Sequence, residues 1–139
     1  MPRCEIDLDA SPLFARLLKQ LRKKYRRIDA DLADLFEEIE KDYEMAAGAD
    51  PIATWKRMVW KHRCGSRDMK VGRSGGFRII SVVHTDRDPH VLYPILIYAK
   101  ADQANVSAIQ IADAVKVLER ELDALKRGLD ADTDPEVQQ

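Results

Sequence analysis

Apolar and polar positions alternate with two different periods along this chain, and each change of period marks an element. Residues 3–9 alternate in twos, with Cys4, Ile6 and Leu8 set against Glu5, Asp7 and Asp9. Successive strand side chains face opposite ways, so this predicts a first strand. Ser11-Pro12 then reads as a helix N-cap followed by proline at the first helical position. Phe14, Leu17, Leu18, Leu21 and Tyr25 recur at helical spacing, with Arg16, Lys19, Arg22 and Lys23 opposite. A second helix begins near Asp29 or Asp31, where early aspartates suit the positive end of the helix dipole. Its stripe is Leu32, Leu35, Phe36, Ile39 and Tyr43. The short junction over 26–29 predicts a helical hairpin, and Gly48-Ala49-Asp50-Pro51 ends the second helix.

From about Thr54 the strand period returns. Three runs follow, Trp60-Lys61-His62-Arg63-Cys64, Phe77-Arg78-Ile79-Ile80 and Tyr93-Pro94-Ile95-Leu96-Ile97-Tyr98-Ala99-Lys100. A basic loop over 65–72 and a turn at Asp86-Arg87-Asp88-Pro89 join them. Proline cannot donate to a ladder, so Pro94 predicts an edge, a bulge or an early strand end. Ser107 caps a last helix running to Gly128. Its stripe of Ile111, Val115, Leu118, Leu122, Leu125 and Leu129 is spaced 4, 3, 4, 3, 4. Such a helix, roughly 33 Å long, outreaches a small sheet. The predicted fold is α+β, a single domain over 1–129 with strand, two helices, three strands and helix in order, and a mainly antiparallel twisted sheet packed on the helices. Residues 130–139 read as an acidic, disordered tail.

Composition narrows the class. The chain has 139 residues, room for one modest core. It contains no apolar run of about 18 residues, and Met-Pro-Arg-Cys-Glu lacks the apolar centre of a secretory signal, so a cytoplasmic protein without a membrane span is expected. Cys4 and Cys64 supply neither a disulfide framework nor a metal-ligand set and read as small buried hydrophobes. A net charge of -1 conceals blocks of +5 over 1–28, −8 over 29–53, +7 over 54–100 and −5 over 101–139. The basic block coincides with the three strand runs. Alternation there places Lys61 and Arg63 on one strand face, joined by Arg78, Tyr98 and Lys100, a surface suited to a phosphodiester. His62 turns the other way with Trp60 and Cys64, toward the core. Trp55, Trp60 and Phe77 could stack on bases, with core packing the expected role of at least Trp60 and Phe77.

The pieces Lys23-Lys24-Tyr25-Arg26, Trp60-Lys61-His62-Arg63, Arg67-Asp68-Met69, Gly72-Arg73-Ser74-Gly75-Gly76-Phe77-Arg78-Ile79-Ile80 and Ile97-Tyr98-Ala99-Lys100-Ala101-Asp102-Gln103 carry a resemblance. Over residues 3 to about 125 the chain resembles the RelE/ParE toxin superfamily, in particular its HigB-like, phage-protein-like branch. The resemblance implies the toxin of a type II toxin–antitoxin pair, a ribosome-dependent mRNA endoribonuclease (mRNA interferase) that inhibits translation and is silenced by a cognate antitoxin protein. Implied partners are that antitoxin, mRNA and the ribosome, with no cofactor and no metal. The overhanging last helix is a candidate surface for a second copy or for the antitoxin.

Metal-independent RNA cleavage needs a base for the 2′-hydroxyl, cations for the charged phosphorane and an acid for the 5′-oxygen. By motif these roles fall on Lys61, Arg63, Arg78 and Tyr98. Arg63 and Arg78 would stabilise charge, and Lys61 would act as base if cationic neighbours favour its neutral form. Tyr98 and Lys100 would serve as acid or phosphate contact. Arg67, Lys70, Arg73 and Lys100 are the expected RNA-binding residues. Two other readings stay open, a ParE-like toxin acting on a protein target such as DNA gyrase and a catalytically inactive binding homologue.

Overall fold

The computed structural model describes residues 3–46, 48–52 and 58–133, with side chains through residue 128. Thr54 and Trp55, the expected strand start and a candidate base stacker, lie outside the described residues. The elements are β1 (Cys4–Ile6), α1 (Pro12–Lys24), α2 (Ile28–Lys41), β2 (Asp50–Pro51), β3 (Val59–Cys64), β4 (Phe77–His84), β5 (His90–Ala99) and α3 (Ala108–Thr133). The α+β order is the expected one, with a two-residue strand added before β3.

Local chemistry accounts for the helix ends. Ser11 Oγ accepts the Phe14 N–H at 3.2 Å and Pro12 opens α1, while Arg22, Lys23 and Lys24 close it at the negative end of its dipole. At the start of α3, Ser107 Oγ accepts the Gln110 N–H and Gln110 Oε1 accepts the Ser107 N–H, a reciprocal capping box. Helix α2 stops at Lys41, before the glycine expected to end it, and Tyr43 lies buried in the turn beyond. Gly128 does not end α3, which runs on to Thr133, four residues into the segment read as a tail; 134–139 lie outside the described residues. At 26 residues α3 is about 39 Å long. Leu122 still packs on the core, whereas Leu125 is 56 % exposed, so the helix overhangs as its length requires.

The sheet order is β1-β5-β4-β3-β2. Strand β1 runs parallel to β5, pairing Cys4 with His90, and the other pairings are antiparallel. Pro94 sits in an interior strand at a bulge. The β4–β5 register shifts between Ile80, opposite Leu96, and Ser81, opposite Pro94, which leaves Ile95 as the extra residue. Beyond Leu92, β5 has no β1 residue beside it, and α1 packs there. Phe14 and Leu18 of α1 enter the core under α2, Leu13 packs on the core under α3, and Leu17 touches both. The helix thereby shields a strand edge that would otherwise offer free backbone groups.

Both sheet faces are largely covered, which corrects the expectation of one core face and one open cationic face. Trp60, His62, Cys64, Phe77, Ile79, Ile97 and Ala99 point toward α1 and α2, and Val59, Ile80, Val82, Leu96 and Tyr98 belong with α3. On the α3 side, Lys61 of β3 stays half-buried and Arg63 exposed. Among the described residues no helix is long and apolar enough to cross a membrane.

His62 is fully buried, as alternation predicted, and its Nε2–H donates to the Tyr43 carbonyl at 2.7 Å, while Nδ1 has no partner among the described residues. Burial pushes this imidazole below its ordinary value of about 6.5, against the pull of the Tyr43 carbonyl. The unfolded chain therefore gains a proton below about pH 6.5 that the folded chain refuses. Stability should fall as pH drops, by up to about 1.4 kcal/mol per pH unit, until the lowered folded value is reached. Urea midpoints between about pH 7 and pH 5 measure this. The fall should shrink in His62→Gln, and an unchanged fall would count against the assignment.

Both cysteines are buried and free. Burial and then Glu40 push the Cys4 thiol up to about 12, and burial and then Asp31 and Asp34 push Cys64 up to about 12. A thiol reagent near pH 8 should spare both in the folded chain and label both after unfolding. Rapid native labelling of either would contradict the packing.

Candidate functional site

Strand register brings three of the expected residues into one row. Arg63 pairs with Arg78 and Arg78 with Tyr98, so the row crosses β3, β4 and β5 on the α3 side of the sheet. Lys61 stands two residues along β3 on the same face. Members of such a row lie close enough to feel one another's charge.

Their surroundings differ sharply. Arg63 is exposed and has no ion pair among the described residues. Its side chain lies over Gly48, where a Cβ would meet Arg63 Cδ at 2.8 Å and the backbone is held at φ +67°. Glycine there satisfies the left-handed conformation and leaves the arginine its place. Arg78 is only 5 % exposed, and its guanidinium donates to the carbonyls of Arg73 (3.0 Å), Ser74 (2.7 Å) and Phe77 (3.2 Å). Burial, then the nearby Arg63, lower its hold on the proton, and Tyr98 works against them. Guanidinium remains charged at neutral pH all the same. Arg78 is thus a fixed positive charge beneath the surface that also clasps the loop before β4.

Tyr98 is buried, and its hydroxyl makes no hydrogen bond among the described residues. Burial pushes its phenol up, partly offset by Arg78, so it keeps its proton at neutral pH. It borders a cleft of about 270 Å³ walled by Leu13, Leu17, Gln103 and Gln110. Lys61 is half-buried with Asp50 of β2 as its nearest charged partner, Nζ lying 4.0 Å from the carboxylate.

The loop residues stand apart from the row. Arg67 binds Asp31 at 2.7 Å and Asp34 at 2.6 Å, and Arg73 binds Glu38 at 2.5 Å. The Arg67 N–H also donates to Asp31, whose side chain is only 4 % exposed. Two of the cations expected to hold RNA are therefore engaged by α2. The acidic face of α2 is the seat of the loop. Asp31, Asp34 and Glu38 fall on one helix face by their spacing, and that regularity was the readable signal for the contact. A Ser66–Val71 bridge closes the loop, and Lys70, at φ 55°, is exposed and unpaired among the described residues. Lys100 is also exposed, just past β5, where its N–H donates to the Gly76 carbonyl at 2.9 Å.

Trp60 and Phe77 are buried in the α2-side core, as expected, with Phe77 edge-on to Tyr25 and Trp60 edge-on to Tyr43. Among the described residues, no three His, Cys, Asp or Glu side chains converge to hold a metal ion. Family models, curated proteins and solved structures give no match to this chain.

Proposed function

We propose that the chain is a HigB-like toxin of the RelE/ParE superfamily, an mRNA endoribonuclease of the translating ribosome that a cognate antitoxin holds in check. The observation that carries this reading is the register row Arg63–Arg78–Tyr98, with Lys61 beside it. Phosphoryl transfer at a 2′-hydroxyl develops charge on the non-bridging oxygens and on the departing 5′-oxygen. Arg63, exposed and unpaired among the described residues, meets the first charge directly. Arg78 reinforces it from below as a positioned cation. Tyr98, holding its proton, donates to the leaving oxygen. Lys61 takes the 2′-hydroxyl proton as a neutral amine, after substrate has displaced its Asp50 contact and the ammonium has given its own proton to solvent.

Expression in growing bacteria tests the reading. Growth should stop and amino-acid incorporation should collapse soon after induction, and co-expressed antitoxin should restore both. Continued growth with abundant folded protein would favour the inactive binding homologue. One observation points that way, since the Arg78 guanidinium is already committed to three carbonyls.

A further inference from the structure

The cations of this chain divide into engaged and free. Arg67 and Arg73 are held by α2, Arg22 by Asp29, Arg27 by Asp68 and Lys24 by Asp102. Arg16, Lys19 and Lys23 of α1 are exposed and have no ion pair among the described residues. Steps of three and four residues put them on one helix face, about 4.5 Å and then about 6 Å apart along the axis. Arg26, in the turn after α1, is also exposed and unpaired among the described residues. The Lys24–Asp102 bridge at 3.5 Å ties that end of α1 to the loop that begins with Lys100.

Two ordinary explanations fall short. Compensation of the helix dipole accounts for cations in the last turn, Lys23 among them, but Arg16 and Lys19 stand earlier, where the dipole offers them nothing. Solubility calls for mixed charge, yet α1 carries no acidic residue along its whole length. A face of one sign concentrates polyanions. Protein partners bind through buried apolar or aromatic anchors. None of the large exposed apolar side chains lies on α1, which favours a phosphate backbone over a protein.

We infer that the exposed face of α1, Arg16, Lys19 and Lys23 with Arg26 and Lys100 at its end, binds the phosphate backbone of RNA. The inference rests on the RNA reading above and moves the RNA-holding cations from the 65–73 loop to α1. The shared chemistry is a run of phosphates, from a single strand or from a folded ribosomal helix.

Fluorescence anisotropy of the full chain with a short single-stranded RNA and with an RNA stem-loop, over a range of salt, tests it. Glutamine at an exposed helix position keeps helix propensity close to that of lysine and arginine. The Arg16→Gln/Lys19→Gln/Lys23→Gln variant should therefore melt with the wild type. Its log–log salt slope on the single strand should be shallower by about 2, with affinity at moderate salt down about tenfold or more. The probe bound more tightly by the wild type identifies the source. Binding by the wild type that survives the triple substitution unchanged would overturn the inference and leave the RNA reading standing. Failure of the wild type to bind either RNA at low salt would remove both.

Discussion

Gly76→Ala is expected to leave the chain unfolded or weakened by about 3 kcal/mol or more. A Cβ at this position would stand 2.0 Å from the Cys64 carbonyl oxygen and 2.9 Å from the Gly65 carbonyl carbon, both backbone atoms. Those atoms have little freedom to yield. Cys64 is paired with Phe77 across β3 and β4, and the Gly76 carbonyl accepts the Lys100 N–H at 2.9 Å. Relief would have to separate β3 from β4 where Phe77 is wholly buried and Arg78 clasps the loop. Gly72→Ala is the control, because nothing among the described residues lies within 4 Å of a Cβ there, and it should stay within about 0.5 kcal/mol of wild type. Soluble yield and the urea midpoint report the difference. Equal midpoints for Gly76→Ala and wild type would show that the strand entry is looser than described.

Arg63→Ala should slow RNA cleavage by about 100-fold while leaving the fold intact. Loss of a single positioned donor to developing charge costs about that much in enzymes that stabilise oxyanions. Arg63 is exposed and makes no ion pair among the described residues, so its removal breaks no fold contact of that kind. Arg63→Lys should restore part of the rate, since an ammonium keeps the charge without the planar fork. Arg78→Met should behave differently. It strands three carbonyls and loosens the loop, so stability and rate should fall together. Cleavage rates of purified variants alongside their melting temperatures separate the two cases. Arg63→Ala at full rate would remove the row from the chemistry.

Much of the fold was legible because strong local signals agreed with the final packing. Ser11-Pro12 and Ser107 located the starts of α1 and α3, and the period changes located the strand runs. The strand bounds differ, since β1 stops three residues early, β4 runs on to His84 and β5 begins at His90. Pro94 announced an edge, a bulge or an early strand end, of which the bulge is what the sheet holds, and His62 was placed in the core by alternation alone. What escaped depended on contacts distant in sequence. No periodicity reveals that α3 lies across the face that also carries Arg78 and Tyr98, so a face read as open is mostly closed. The end of α2 was misplaced because Tyr43 continues the helical stripe while its backbone has already left the helix.

The site followed the same division. Lys61 and Arg63 share a face because they lie two apart on one strand, and that was readable. Their alignment with Arg78 and Tyr98 depends on register and is visible only in the sheet. Arg67 and Arg73 looked free because their partners, Asp31, Asp34 and Glu38, lie more than thirty residues away. A basic loop following an acidic helix invites two interpretations, and the ion pairs decide for mutual neutralisation. The cations left free, Arg16, Lys19 and Lys23 among them, looked like the ordinary solvated side of an amphipathic helix.

The most direct test of the row as an RNA-cleaving centre is to map mRNA 5′ ends in bacteria shortly after inducing the wild type and, separately, Arg63→Ala. The row predicts new ends inside translated messages with the wild type and their near absence with the variant at equal protein level. Growth arrest without new ends, or the same ends in both strains, would contradict it.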